Sequence, residues 1–202
     1  MFKKLRRLFK GFGFNTRLTR FQKSKGEVLF FNSVDKFIKN GNDPSLSNHY
    51  NLRIWYNNDY GSSEEHKFYF DTNYGLILTR TDGGHSVDLG CLGFEPNKHN
   101  VSIRIVQLQG PTYNKDDKVA ELLKPIKWER LLVSAICQWA SLNGFESVEI
   151  QPASQNRWYP ELDPDDKKNK FHMRYDVTAR RLGFKFNSDR KVFVKPLQLS
   201  AA

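Results

Sequence analysis

The most regular apolar pattern in the chain lies between residues 128 and 142. Trp128, Leu131, Leu132, Ala135, Ile136, Trp139, Ala140 and Leu142 recur at steps of three and four, so a helix would carry all of them on one stripe facing a sheet. Asn143 and Gly144 supply the left-handed cap that ends such a helix. Val148 and Ile150 then alternate with Ser147, Glu149 and Gln151 as a strand. Upstream, Val101, Ile103 and Ile105 alternate with Ser102 and Arg104, which predicts a strand over 101–108. A hairpin is expected over 66–80, with Asp71, Thr72 and Asn73 between two aromatic and branched runs, and another strand over 87–94 after a turn at Asp82, Gly83 and Gly84. Nearer the start, 28–31 reads as a short strand, Val34, Phe37 and Ile38 as a helix, and 42–63 as a loop holding one strand near Leu52, Ile54 and Trp55. After residue 151 come a long connection over 152–170, a helix over 172–182 stopped by Gly183, and a last strand over 192–197. The expected fold class is α+β, an antiparallel meander followed by strand, helix, strand, helix and strand.

Charge changes this picture at one place. Of the 32 Lys and Arg residues, nine fall within residues 1–26, which hold no acidic residue. The other 23 face 22 acidic residues, so the body is nearly neutral and has no overall pull on phosphate backbones. Phe2, Leu5, Leu8, Phe9 and Phe12 sit among the bases at helical spacing, an amphipathic pattern weakened by Gly11 and Gly13. We therefore divide the chain into a basic arm, 1–26, and a single domain, 27–202. The arm suits contact with nucleic acid or anionic membrane, an organellar presequence, or a solvated tail. No apolar run approaches the length of a membrane span, and Cys91 and Cys137 fit neither a disulfide framework nor a zinc site, so a cytoplasmic protein is expected. Organellar residence after removal of the arm is the alternative.

The order of elements, with the strand VSIRIVQLQG (101–110), the helix WERLLVSAICQWASLNG (128–144), the strand SVEIQP (147–152) and RYDVTARRLGF (174–184), resembles the GNAT superfamily of acyltransferases. Leu131, Leu132, Ala140, Gly144, Leu182, Gly183 and Phe184 match positions of that family's helix-strand and Leu-Gly-Phe patterns, and the likeness covers about residues 65–197. It implies a mixed, mostly antiparallel sheet flanked by helices, and transfer of an acyl group from acetyl-CoA or another acyl-CoA to an amine on a small molecule or protein. It also places Gln107, Leu108, Lys124, Lys127, Trp128 and Asn156 beside the cofactor. The family's phosphate-binding glycines fall here on Lys124, Ile126 and Trp128, so backbone approach is crowded while Lys124 and Lys127 attract phosphate by charge. The family's usual tyrosine acid falls on Ala179, with Tyr175 one helical turn earlier.

Such a transfer needs a group to take the amine's proton and another to meet the leaving thiolate. Glu149, pointing opposite Val148 and Ile150, is the candidate base, and Tyr175 the candidate acid; a salt-bridged Glu149 and a core Tyr175 are the structural alternatives. Asn156, Arg157 and Trp158 follow a strand at its carboxyl end, where ligands of α/β proteins bind. The five histidines lack metal spacing, and Asp163, Asp165 and Asp166 lack the glycine and distal glutamate of a calcium hand, so no metal site is expected. The rival to an enzyme is a non-catalytic binding or structural protein of the same fold, attached to RNA, an assembly or a membrane through its arm.

Overall fold

A computed structural model describes residues 16, 18, 19, 21, 23, 37, 50–56, 68, 70–82, 85–97, 101–110, 117–161 and 165–198. The elements expected at 2–12 and 28–31 lie outside these residues, and of the helix expected around 34–38 only Phe37 lies within them. The strands run β1 (Tyr50–Tyr56), β2 (Tyr74–Asp82), β3 (His85–Asn97), β4 (Ser102–Gln109), β5 (Ser147–Ile150), β6 (Lys185–Asn187) and β7 (Val192–Pro196). Among the described residues they form one sheet in the order β1-β2-β3-β4-β5-β7-β6. Every neighbouring pair is antiparallel except β4 and β5. The helices are α1 (Asp117–Leu123), α2 (Trp128–Leu142), α3 (Asp165–His172) and α4 (Thr178–Arg181), the last two joined by a π-helical turn, Met173–Val177.

Helix α2 forms where its periodicity predicts and lies over the sheet. Leu131, Leu132, Ala135, Ile136 and Ala140 are completely buried with Leu92, Phe94, Ile103, Ile105, Val148 and Ile150 of the strands beneath. Leu142 departs from the expected stripe and is exposed, because the helix ends there. A second, smaller cluster of Trp55, Phe68, Ile77 and Cys91 packs on the opposite face. It explains why the expected hairpin does not form: Phe68 and Phe70 leave strand geometry, and Phe70 stacks on Trp55 at 3.8 Å between ring centres. β2 pairs instead with β1 and β3.

Helices α2 and α4 end by the same device. Gly144 (φ 72°) and Gly183 (φ 79°) take the left-handed conformation, and the next residue folds back, Phe145 N–H to Ala140 O at 2.9 Å and Phe184 N–H to Ala179 O at 3.0 Å. Both phenylalanines are buried, the hydrophobic contact that accompanies such caps.

Part of the segment before residue 27 packs with the main domain. Residues 16, 18, 19, 21 and 23 are helical, and Leu18 and Phe21 are buried in the main core. Phe21 meets Phe94 and Trp139 edge-on, at 5.2 and 4.9 Å between ring centres. Charge dominates the sequence there and hides an apolar i, i+3 pair. Among the described residues no helix is long and apolar enough to cross a membrane.

Candidate functional site

The polar interior collects where β4 and β5 part. They pair in parallel from Ser102–Ser147 to Ile105–Ile150, and β5 then ends while β4 continues. At the same point β4 is bulged: the register against β3 slips around Val106, so Phe94 faces Ile105 and Gly93 faces Gln107. A bulge inserts one unpaired residue and shifts the face parity. Ile103, Ile105 and Leu108 therefore pack toward α2, while Gln107 and Gln109 share the other face with Gly93 and Cys91, their partners on β3.

Side chains take the place of the absent strand. Val106 O accepts from Gln151 Nε2 at 2.6 Å and from the Tyr175 hydroxyl at 3.3 Å. Leu108 N–H donates to Tyr175 Oη at 2.9 Å, and Asn156 Nδ2 donates to the same oxygen at 3.0 Å. Leu108 O accepts from Arg174 Nη1 at 3.3 Å. Tyr175 reaches this gap from the π turn, whose extra residue per turn breaks the helix's regular hydrogen bonding, a feature common at functional sites. Asp176, beside it, accepts from Ala153 N–H at 3.0 Å and ties the turn to the end of β5. Burial pushes the Tyr175 phenol up to about 12 from its ordinary 10.0. It thus stays protonated at neutral pH and remains a hydrogen-bond donor.

Replacing Tyr175 by Phe leaves Leu108 N–H and Asn156 without that oxygen, and is expected to cost about 1–3 kcal/mol in urea unfolding. Because the folded phenol titrates above the unfolded one, its contribution is complete below pH 10 and is lost as pH rises toward 12. Wild type should accordingly lose more stability than Tyr175→Phe between those two values. Cys137, a buried thiol also pushed upward by burial, titrates in both proteins and cancels in the comparison, whereas the charge of Cys91 acts on Tyr175 itself.

On the α2 side lies a cavity of about 450 Å³ between the start of α2 and the α3–α4 segment. Lys127, Arg130 and Arg181 line it with the acidic Glu129 and with Trp128, Met173 and Val177. Lys127 gives α2 no side-chain cap, and the first residues of the helix, Trp128 to Arg130, belong to the cavity lining. Arg130 is drawn below its ordinary pKa by burial and then by the charge of Arg181, while Glu129 acts in the opposite direction. Lys124, also on the lining, pairs with Glu121 of α1. Trp128 is a buried wedge rather than a cavity wall alone: a Cβ on Gly90 would lie 3.0 Å from its ring, and the Arg174 guanidinium lies 5.3 Å from the ring centre. Among the described residues the buried Arg174 Nε has no hydrogen-bond acceptor.

Glu149 does not have the surroundings of a general base. It is wholly buried, with Oε1 accepting from Ser102 Oγ at 2.8 Å and from Arg190, and Oε2 accepting from Arg104 Nε and Nη2 at 3.0 and 2.9 Å. Both oxygens are committed, and the side chain binds the β6–β7 turn to the sheet. Of the residues singled out in the sequence, the structure brings together Leu108, Asn156 and Tyr175 at the gap and Lys124, Lys127 and Trp128 at the cavity. Gln107 faces away from α2. Arg130, Arg174 and Arg181 were missed; their charges lie on helices whose packing periodicity alone does not reveal. Among the described residues no group of His, Cys, Asp and Glu could hold a metal ion.

No family model and no curated protein matches this chain. Among solved structures, a domain from Methanocaldococcus jannaschii DSM 2661 is similar at a TM-score of 0.38 and 10% identity, over 61% of this chain and 66% of that one. The chain thus spans just under two thirds of that domain's length.

Proposed function

We propose that this chain is a divergent GNAT-like N-acyltransferase that moves an acyl group from acyl-CoA to an amine. One observation carries the reading: a single parallel strand pair that parts after four residues, beside a basic cavity at the start of the long helix. The charge of that cavity fits a polyphosphate. Lys127, Arg130 and Arg181, all on its lining, would hold it by charge. The gap fits only after an exchange, since Tyr175 and Asn156 now occupy the backbone groups of Val106 and Leu108. A carbonyl entering there competes with the Tyr175 oxygen for Leu108 N–H, and the phenol, once displaced, offers its proton as a hydrogen bond to developing negative charge. Acyl-CoA, when bound, would supply the activated thioester; the neutral amine would form the new amide C–N bond as the C–S bond breaks, its proton passing through water to the departing coenzyme A thiolate. Glu149 has no part in the chemistry.

Calorimetric titration with acetyl-CoA and with free coenzyme A tests this. Saturable binding below about 1 mM is expected. Arg130→Ala and Arg181→Ala should each weaken it about 10- to 100-fold, the equivalent of one charge-assisted contact. Absence of binding at millimolar ligand overturns the transferase reading. It would favour the second one, a non-catalytic protein of this fold, which the complete pairing of the β4 edge by the chain's own side chains supports.

A further inference from the structure

On the face of the sheet away from α2, a second polar group lies just across the same gap. Asp71 is fixed at β4 by its own N–H, which donates to Gln107 Oε1 at 3.0 Å. Its carboxylate pairs through one oxygen with Arg157 and accepts through the other from Trp158 Nε1 at 3.4 Å. The Arg157 guanidinium also lies over the Trp158 ring, 4.5 Å from its centre. A carboxylate beside an aromatic face is the chemistry that binds an organic cation, and here the chain's own arginine fills it. Arg157 is 64% exposed and Trp158 44%, so much of this cation stands in water. Asn156 connects the two faces, its Oδ1 accepting from Trp158 N–H at 3.0 Å while its Nδ2 reaches the Tyr175 hydroxyl.

We propose that Asp71 and Trp158 form a binding site for a cationic amine, an alkylammonium or alkylguanidinium, and that Arg157 is an internal occupant which such a ligand displaces. As the site of the acceptor this rests on the transferase reading; as a cation site it does not. A carboxylate and a π-face are both indifferent to what carries the charge, so the end of a small amine and a protein lysine share the recognised chemistry. Displacement explains why a surface arginine is drawn to two partners at once beside the gap in which the acyl carbonyl would be held.

The test uses the full chain without any acyl-CoA. Butylammonium and butylguanidinium are titrated while the Trp158 indole N–H is followed by proton–nitrogen NMR, its resonance assigned by its loss in Trp158→Phe, with 1-butanol as the uncharged control. The cations should shift that resonance saturably and butanol should not. Arg157→Ala and the size-conserving Arg157→Gln should bind at least about tenfold more tightly than wild type, because the competing internal occupant is gone. Asp71→Asn should abolish the shift. Equal or weaker binding by both Arg157 variants, or binding retained in Asp71→Asn, overturns the proposal. So does collapse of the Trp158 resonance to a disordered position in both Arg157 variants, which would show the ion pair to be a clamp on the 152–161 segment. If the cations bind and acetyl-CoA does not, the transferase reading fails and the cation site stands. If acetyl-CoA binds and the cations do not, this inference fails alone. A peptide bearing lysine and free lysine, titrated in parallel, distinguish a protein acceptor from a small one.

Discussion

Glu149→Gln should destabilise the protein by about 3 kcal/mol, although it changes one oxygen to an amide. The carboxylate has no exposure of its own and neutralises two arginines, Arg104 and Arg190, while accepting from Ser102. Removing one partner of a buried pair leaves the others uncompensated, which costs about 3–5 kcal/mol. Here the low end applies, because Arg104 and Arg190 are 35% and 32% exposed and water can hydrate part of each guanidinium. The measurement is urea unfolding, with a lower midpoint and an unchanged slope. A loss under about 1 kcal/mol would show that solvent already screens the cluster. The same variant separates structure from catalysis: a drop in turnover that follows stability, and is restored by cooling, is the effect of a loosened β6–β7 turn.

Phe21→Ala is the second large effect, about 3–5 kcal/mol. The ring is 1% exposed and sits among Tyr74, Phe94 and Trp139, so its removal opens a cavity in the main core. Thermal unfolding of the variant checks it, with Lys23→Ala, at an exposed helical position nearby, as the control that should change little. A matching small change at Phe21 would mean that the packing of this segment is dispensable. One consequence concerns the basic arm. Deleting residues 1–26 to test nucleic-acid or membrane binding would remove Phe21 as well, and would confuse lost binding with lost folding. Charge neutralisation at Lys3, Lys4, Arg6 and Arg7 leaves Leu18 and Phe21 in place and should reduce the salt dependence of any such binding instead.

Long-range packing decides which parts of this fold were legible in the sequence. Helix α2 and strand β5 were readable because their apolar faces repeat over enough residues to exceed noise, and Gly144 and Gly183 because only a left-handed residue ends a helix in that way. Strand β6 was not, since Lys185–Asn187 offers three residues and one exposed Phe186. β3 proved longer than the 87–94 expected, running from His85 to Asn97, because Asp88, Glu95 and Pro96 interrupt its apolar run without interrupting its pairing. The bulge was hinted at by the shift in parity from Ile105 to Leu108, a sign that only gains meaning once the faces are known. Asn156 and Tyr175 could be singled out by position, but their meeting at one oxygen depends on the π turn, which leaves no pattern in the chain. Glu149 was correctly placed on the polar face of its strand; what surrounds it comes from β4 and from Arg190, 41 residues away.

The parted strands have a meaning for assembly as well as for chemistry. From Val106 onward β4 is an edge strand inside its own sheet, with an N–H and carbonyls aimed at a lane where no strand runs among the described residues. Free edges of this kind recruit strands from other molecules and seed aggregation. Gln151, Asn156, Arg174 and Tyr175 together act as a plug in that lane. To displace these side chains, an entering group would have to match backbone donors and acceptors in the spacing of an extended chain. Removing these side chains would expose the edge and raise the risk of self-association.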